Sequence, residues 1–217
     1  CNSLESINID KNNRVYSSIN GVFFNKDQTI LICYPMGKAQ VTYEIPASVT
    51  SIEDDAFEHC QNLKNIKIPT SVMTIGDGAF SDCSNLSNIE IPENVTSIGT
   101  SAFAFCYSLD NINVNANNTT YSSVDGVCFD KDQTTLVCYP VGKTQTTYEI
   151  PTNVTDIGYL AFWDCYSLSS IKIPASVINI GQQAFSYCGN LSSIEIPVSV
   201  KSIGNNVFYY CDNLTDI

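Results

Sequence analysis

The chain has 217 residues, 44% of them hydrophobic and 15% charged, a balance that excludes intrinsic disorder and suits a packed fold. Ten Lys and Arg stand against 22 Asp and Glu, giving a net charge of −12 with no basic stripe, which excludes nucleic acid as an expected partner. No apolar run reaches the ~18 residues of a membrane-spanning helix, so no membrane insertion is expected.

The chain opens at Cys1 with no basic-then-apolar leader, so an export signal is expected to have been removed or to lie outside this chain. Cys1, Leu4, Ile7 and Ile9 set a C-x-x-L-x-x-I-x-I register that returns throughout. In residues 16–38, YSSINGVFFNKDQTILICYPMGK, two apolar runs flank Asn25-Lys26-Asp27-Gln28, which predicts a hairpin. Residues 41–45 (VTYEI) then read as a strand rejoining a sheet just before Pro46. From there the chain repeats every 23 residues: PASVTSIEDDAFEHCQNLKNIKI, PTSVMTIGDGAFSDCSNLSNIEI and PENVTSIGTSAFAFCYSLDNINV fill 46–114. The hairpin segment returns as YSSVDGVCFDKDQTTLVCYPVGK at 121–143, and further copies of the unit follow at 151–173, at 174–196 and from Pro197 onward. The chain therefore reads as one domain, 1–217, made of two duplicated blocks, 1–105 and 106–217.

Each position of the unit has a physical task. In Leu63-x-x-Ile66-x-Ile68 the alternating isoleucines predict a short strand with one face inward, and stacked coils would align these strands into a parallel sheet. Pro69, Pro92, Pro174 and Pro197 close the strand without wasting a donor. Val72 and Ile75 point inward, and Gly76 is expected to permit a turn. Ala79, Phe80, Cys83 and Leu86 recur at spacings near three, which predicts a short helical or 3₁₀ arc facing the core. No coil can bury its apolar side alone, so stability must come from stacking. The expected fold class is a leucine-rich-repeat solenoid: β-rich right-handed coils, a parallel sheet on one face, short helical or 3₁₀ arcs and two hairpin insertions.

The motif I-P-x-S-V-T-x-I-G-x-x-A-F-x-x-C-x-x-L-x-x-I resembles the BspA-type leucine-rich repeat over essentially the whole chain, and the G-V-x-F-N-K-D-x-T segment resembles an element of its bacterial members. Departures are few: Glu53 rather than Gly follows Ile52, and Val207 replaces Ala. The resemblance implies exported surface proteins of oral and gut bacteria and of some parasitic protozoa, with adhesion proposed for some members. It also implies that the repeat residues themselves are scaffold.

Few residues stand out from that scaffold as candidates for chemistry. Cys1, Cys60, Cys83, Cys106, Cys165, Cys188 and Cys211 occupy one repeat position, and Cys33 and Cys138 match each other, while Cys128 has no counterpart because Phe23 stands opposite it. A cysteine once per coil reads as a buried, inert thiol ladder, and stacked side chains pointing the same way disfavour disulfides. The repeat register also overrides a lipid-modified reading of Cys1. With no C-x-x-C and with His59 as the single histidine, no metal or cofactor site is expected. His59 reads as a partly exposed surface residue without a catalytic motif around it, and Asp54-Asp55, Asp130 and Asp132 read as turn residues, so no enzyme is expected. On the strand face the outward residues are small and polar, with Lys67 beside Glu90 and Lys172 beside Glu195 as expected cross-strand pairs.

The arcs are more distinctive. Around A-F-x-x-C stand Phe105, Tyr107, Trp163, Tyr166, Tyr187, Tyr209 and Tyr210, where the first block places Glu58, Asp82 and Ser84. Exposed rings with one polar end suit contact with host or microbial surface proteins or glycans, so these residues form the candidate partner-binding surface of an extracellular, cell-surface module. The competing reading is a passive spacer that displays another domain. The chain starts and stops within a repeat without a polar cap, so a longer parent chain or end-to-end contacts through the terminal coils are expected. Asn94, Asn118 and Asn153 lie in Asn-x-Ser/Thr sequences that could carry glycans in a eukaryotic source.

Overall fold

The computed structural model describes residues 3–217, so Cys1 and the opening position of its register lie outside the described residues. Two compact units appear, one running up to Leu109 together with Val114–Thr119, the other formed by Asp110–Asn113 with Thr120–Ile217.

In the first unit the two apolar runs form the expected hairpin, extended by one more strand into an antiparallel meander of β1 (Tyr16–Ile19), β2 (Val22–Asn25) and β3 (Ile30–Cys33). Its turn is held by Asn25, whose Oδ1 accepts from the backbone N–H groups of Thr29 at 2.9 Å and Ile30 at 3.0 Å. The predicted strand before Pro46 is β4 (Thr42–Glu44). Next come β5 (Ser51–Ile52), β6 (Asn65–Lys67), β7 (Thr74–Ile75), β8 (Asn88–Ile91) and β9 (Ser97–Ile98). β4 pairs parallel with β6, while β5, β7 and β9 continue in parallel from β3. After β10 (Asn111–Val114) the second unit repeats the plan. Its meander is β11 (Tyr121–Val124), β12 (Val127–Asp130) and β13 (Thr135–Cys138). Then follow β14 (Thr147–Glu149), β15 (Asp156–Ile157), β16 (Ser170–Lys172), β17 (Asn179–Ile180), β18 (Ser193–Ile194) and β19 (Ser202–Ile203). Here β14, β16 and β18 form one parallel sheet, and β13, β15, β17 and β19 the other. Ile157 faces Ile180 and Ile180 faces Ile203, so the 23-residue sequence period is also the strand register.

A second sheet thus runs through each unit at the V-x-x-I-G segment. The sequence pattern gave only an inward pair there, because strands of two residues are too short to show alternation. The arcs require a correction. Among the described residues there is no helix or 3₁₀ segment. Each arc instead carries two left-handed residues, one before the alanine position (Asp55, Ser101, Leu160, Gln183, Asn206) and one before the cysteine (His59, Asp82, Phe105, Asp164, Tyr187, Tyr210), with φ between 54° and 63°. A left-handed residue every fourth or fifth position stops i→i−4 bonding. The freed N–H groups reach the next coil, as from Phe57 to the Ala79 carbonyl at 2.8 Å and from His59 to that of Ser81 at 2.9 Å. Backbone bonding thus ties coil to coil around the arc as well as along the sheets.

The glycine after Ile75 has a different reason from the one expected. Gly76 is not left-handed, but a Cβ there would lie 2.5 Å from the Asp54 nitrogen, so glycine serves close stacking of backbones. At Gly158 the single near atom is the Leu136 carbonyl oxygen at 2.8 Å, and the matching position of the first unit carries Glu53. The departure from the motif falls where the coil lies against a hairpin strand and the crowding is least.

Ala79, Phe80, Cys83 and Leu86 are fully buried, as are Phe162, Leu168, Ala184 and Phe185 in the second unit. Their rings form two ladders. Tyr34, Phe57, Phe80 and Phe103 follow at centroid distances of 5.2, 5.1 and 5.8 Å, and Tyr139, Phe162, Phe185 and Phe208 at 5.2, 5.2 and 5.7 Å.

Candidate interaction surface

The cysteine position is an ordered thiol ladder. Each Sγ of Cys60, Cys83, Cys106, Cys165, Cys188 and Cys211 donates to a backbone carbonyl of the preceding coil, over distances from 3.0 to 3.8 Å. All six are free thiols. Cys128, opposite Cys138 across β12 and β13, is also free and buried. Desolvation pushes the Cys83 thiol from 9.0 up to about 12 and raises Cys60, Cys165 and Cys188 as well. A raised acid pKa stabilises the fold only while the unfolded chain also keeps its proton. The contribution of these thiols is therefore expected to be flat below pH 9 and to fall between pH 9 and 12, by about 1.4 kcal/mol per pH unit for each such thiol. Urea melts across that range would check this, and a pH-independent midpoint would contradict the buried ladder.

Outside the core, His59 lies on the surface of the first unit. Its side chain is 49% exposed, with Nδ1 2.5 Å from Asp82 Oδ2 and Nε2 3.6 Å from Glu58 Oε1. Gln61 also donates to Asp82, and with Met36 and Asn62 these groups line a depression. The imidazole thus sits between two carboxylates, Glu58 and Asp82. Asp130 is a turn residue: its Oδ1 accepts from the N–H groups of Thr134 at 2.7 Å and Thr135 at 2.9 Å, repeating the part of Asn25. On the strand face the ion pairs differ from those expected. Lys67 meets Glu44 at 2.6 Å and Lys172 meets Glu149 at 3.2 Å. The parallel register sets Glu44 directly against Lys67 and Glu149 against Lys172, so each lysine turns to the preceding strand rather than to Glu90 or Glu195. Asn118 is fully buried, with Nδ2 donating to the carbonyls of Pro92 at 2.7 Å and Val95 at 2.9 Å, so the nitrogen a glycan would need is already used. Asn94 and Asn153 are exposed, each donating to a backbone carbonyl of the preceding coil.

The candidate aromatics fall into two groups. Phe105 and Tyr107 belong to the first unit, with ring centroids 6.2 Å apart. Trp163, Tyr166, Tyr187, Tyr209 and Tyr210 belong to the second. There Tyr187 is the hub: Trp163 meets it edge-on at 5.8 Å, Tyr209 edge-on at 5.8 Å, and Tyr210 stacks on it at 5.0 Å. Tyr209 and Tyr210 meet edge-on at 4.4 Å. Tyr166, 43% exposed, presents its own backbone carbonyl to Asn190. The rings do lean on neighbouring coils, yet Tyr187, Tyr209 and Tyr210 remain 39, 48 and 52% exposed. Packing against neighbours therefore leaves these three tyrosines exposed, while Trp163 beside them is partly buried.

Comparison with known proteins places this architecture. Six copies of the BspA type leucine-rich repeat region match residues 33–133 and 138–217. The solved structure of the pneumococcal vaccine antigen PcpA is similar with a TM-score of 0.69 and 28% identity, over 82% of this chain and 50% of that one. A leucine-rich repeat protein of T. pallidum is similar with a TM-score of 0.57 and 28% identity, over 86% of this chain and 82% of that one. A leucine rich cell surface protein from Faecalibacterium prausnitzii A2-165 gives 0.56 and 27%, over 81% of this chain and 59% of that one. This chain spans half the length of the pneumococcal structure. Among curated proteins none matches. With the repeat matched across most of its length, the chain belongs to the BspA-type leucine-rich repeat family.

Proposed function

We propose that this chain is a non-catalytic interaction module of an extracellular, cell-surface protein, and that it holds host or microbial surface macromolecules through its exposed arc aromatics. The observation that carries this reading is the contiguous cluster in which the exposed rings of Tyr187, Tyr209 and Tyr210 gather beside the partly buried Trp163, on a scaffold whose core rings stack in buried ladders. Aromatic residues with a polar tip dominate binding hot spots, because each ring covers much area at small entropic cost. The surface location draws support from the Faecalibacterium relative, named a cell surface protein, and from the pneumococcal relative, named a vaccine antigen.

The test is an array of matrix proteins, mucins and glycans probed with the purified chain and with a variant carrying Ser at Trp163, Tyr166, Tyr187, Tyr209 and Tyr210. Specific binding that the folded variant loses is the expected result. Binding retained by the variant would move the contact to another face. Silence across the array would favour a spacer that only holds other domains at a distance.

A further inference from the structure

The two units share one scaffold but decorate it differently. Where the first carries Glu58, His59 and Asp82, the second carries Trp163, Asp164 and Tyr187. The position before the cysteine is left-handed in every coil, a conformation that Asp and His adopt more readily than large side chains. Tyr187 and Tyr210 hold it at φ of 63° and 55°, and they stay 39 and 52% exposed. Each such residue stores strain of order 1 kcal/mol, which partial packing of an exposed ring compensates poorly. Phe105 holds the same geometry in the first unit, so what marks the second as a place for a ligand is the gathering of Tyr187, Tyr209 and Tyr210 into one cluster.

The charges nearby indicate which ligand. In the arc segments of the second unit, 158–166, 181–189 and 204–212, the charged residues are Asp164, beside Trp163, and Asp212, two positions after Tyr210, with no Lys or Arg among them. π faces bordered by carboxylates attract cations, and tryptophan is the best ring for this. Of the biological cations, the guanidinium group is planar, stacks on rings and sheds water readily. The net charge of −12 would draw a basic chain in from a distance.

We infer that the Trp163–Tyr187–Tyr209–Tyr210 cluster is a docking site for arginine side chains of a basic polypeptide, a step that rests on the interaction-module reading and names its partner class. The guanidinium groups lie over the rings, with the exposed Asp212, two positions after Tyr210, supplying countercharge.

Trp163 is the single tryptophan of the chain, so its fluorescence reports on the site itself. The full chain is titrated with an oligo-arginine peptide and with its oligo-citrulline counterpart, which keeps the shape and loses the charge. A double variant, Tyr187→Asn with Tyr210→Asn, keeps the net charge and places a residue tolerant of the left-handed backbone at both positions. It is expected to fold with unchanged or higher Tm. Saturable binding of oligo-arginine, absent with oligo-citrulline and weakened roughly tenfold or more in the double variant, is the predicted outcome. Equal binding by the variant would reduce the effect to general attraction toward an acidic chain and overturn the proposal. No binding of oligo-arginine would overturn it too. If the array still showed ring-dependent capture of a neutral glycan or protein, the interaction-module reading would survive that failure.

Discussion

Alanine in place of Phe162 is expected to destabilise the second unit by about 3–5 kcal/mol, lowering its Tm by roughly 10–20 °C. The ring is fully buried between Tyr139 and Phe185, each 5.2 Å away, with Tyr148 at 5.9 Å. Truncation leaves a hole lined by two stacked rings whose backbones are tied into coils above and below, so the walls cannot close on it. In a stack where each coil contacts only its neighbours, the loss also uncouples the coils on either side. Phe208 at the far end of the same ladder is only partly buried and touches one ring of the series, Phe185, so Phe208→Ala should cost clearly less. Chemical denaturation of both variants would decide. Equal losses, or a loss below ~1.5 kcal/mol at Phe162, would mean that the ring ladder is not what holds the coils in register.

That ladder was legible from the sequence because Phe57, Phe80, Phe103, Phe162, Phe185 and Phe208 recur at one position of a fixed period. Periodicity reports on residues that every coil must bury alike, and it placed the strands before Pro46 and after Leu63, the hairpin turns and the thiol ladder correctly. It was silent where neighbouring coils decide the geometry. The two-residue strands at Ile52 and Ile75 are defined by pairing with one another. The left-handed residues of the arc admit Asp, Ser, Gln, Leu and Tyr alike, so no residue type announces them. The lysine on each strand had a glutamate on either side, and only the register showed that Lys67 selects Glu44. The aromatic surface was recognisable as a departure from repetition, but its division into Phe105 with Tyr107 and the cluster around Tyr187 became visible only in three dimensions.

The buried cysteines and the exposed aromatics illustrate two separate demands on one coil. A thiol that donates to the carbonyl of the coil before it gains little from chemistry and much from fit, since a small, weakly polar side chain meets a backbone acceptor in a space closed to water. The adjacent residue points the other way and is free to vary without disturbing that fit. Duplication of the scaffold with divergence at this one position gives His59, Asp82 and Phe105 in one unit and Asp164, Tyr187 and Tyr210 in the other. New specificity can arise there at almost no cost to stacking.

Asn118 is the second position where a single substitution should tell strongly. It lies outside the repeat motif, between β10 and β11, and is fully buried. Asn13, its counterpart one block earlier, uses its side-chain oxygen to accept from the N–H groups of Val15 and Tyr16, both at 2.9 Å. Asn118 adds a grip on the preceding coil, with its amide nitrogen donating to the carbonyls of Pro92 and Val95. Asn118→Ala takes the amide donor from the Val95 carbonyl and leaves the Pro92 carbonyl with only the Val95 N–H at 3.3 Å, a loss of about 1–3 kcal/mol. Asn118→Asp is nearly the same size but turns a carboxylate oxygen toward those two carbonyls, so it should destabilise the first unit at neutral pH at least as much as alanine does. Thermal melts of the two variants beside the parent chain would measure this. If the aspartate variant lay within ~0.5 kcal/mol of the parent, the amide would be a bystander. The Val114–Thr119 segment would then rest on other bonds, such as that from the Asn115 N–H to the Ile91 carbonyl at 2.9 Å.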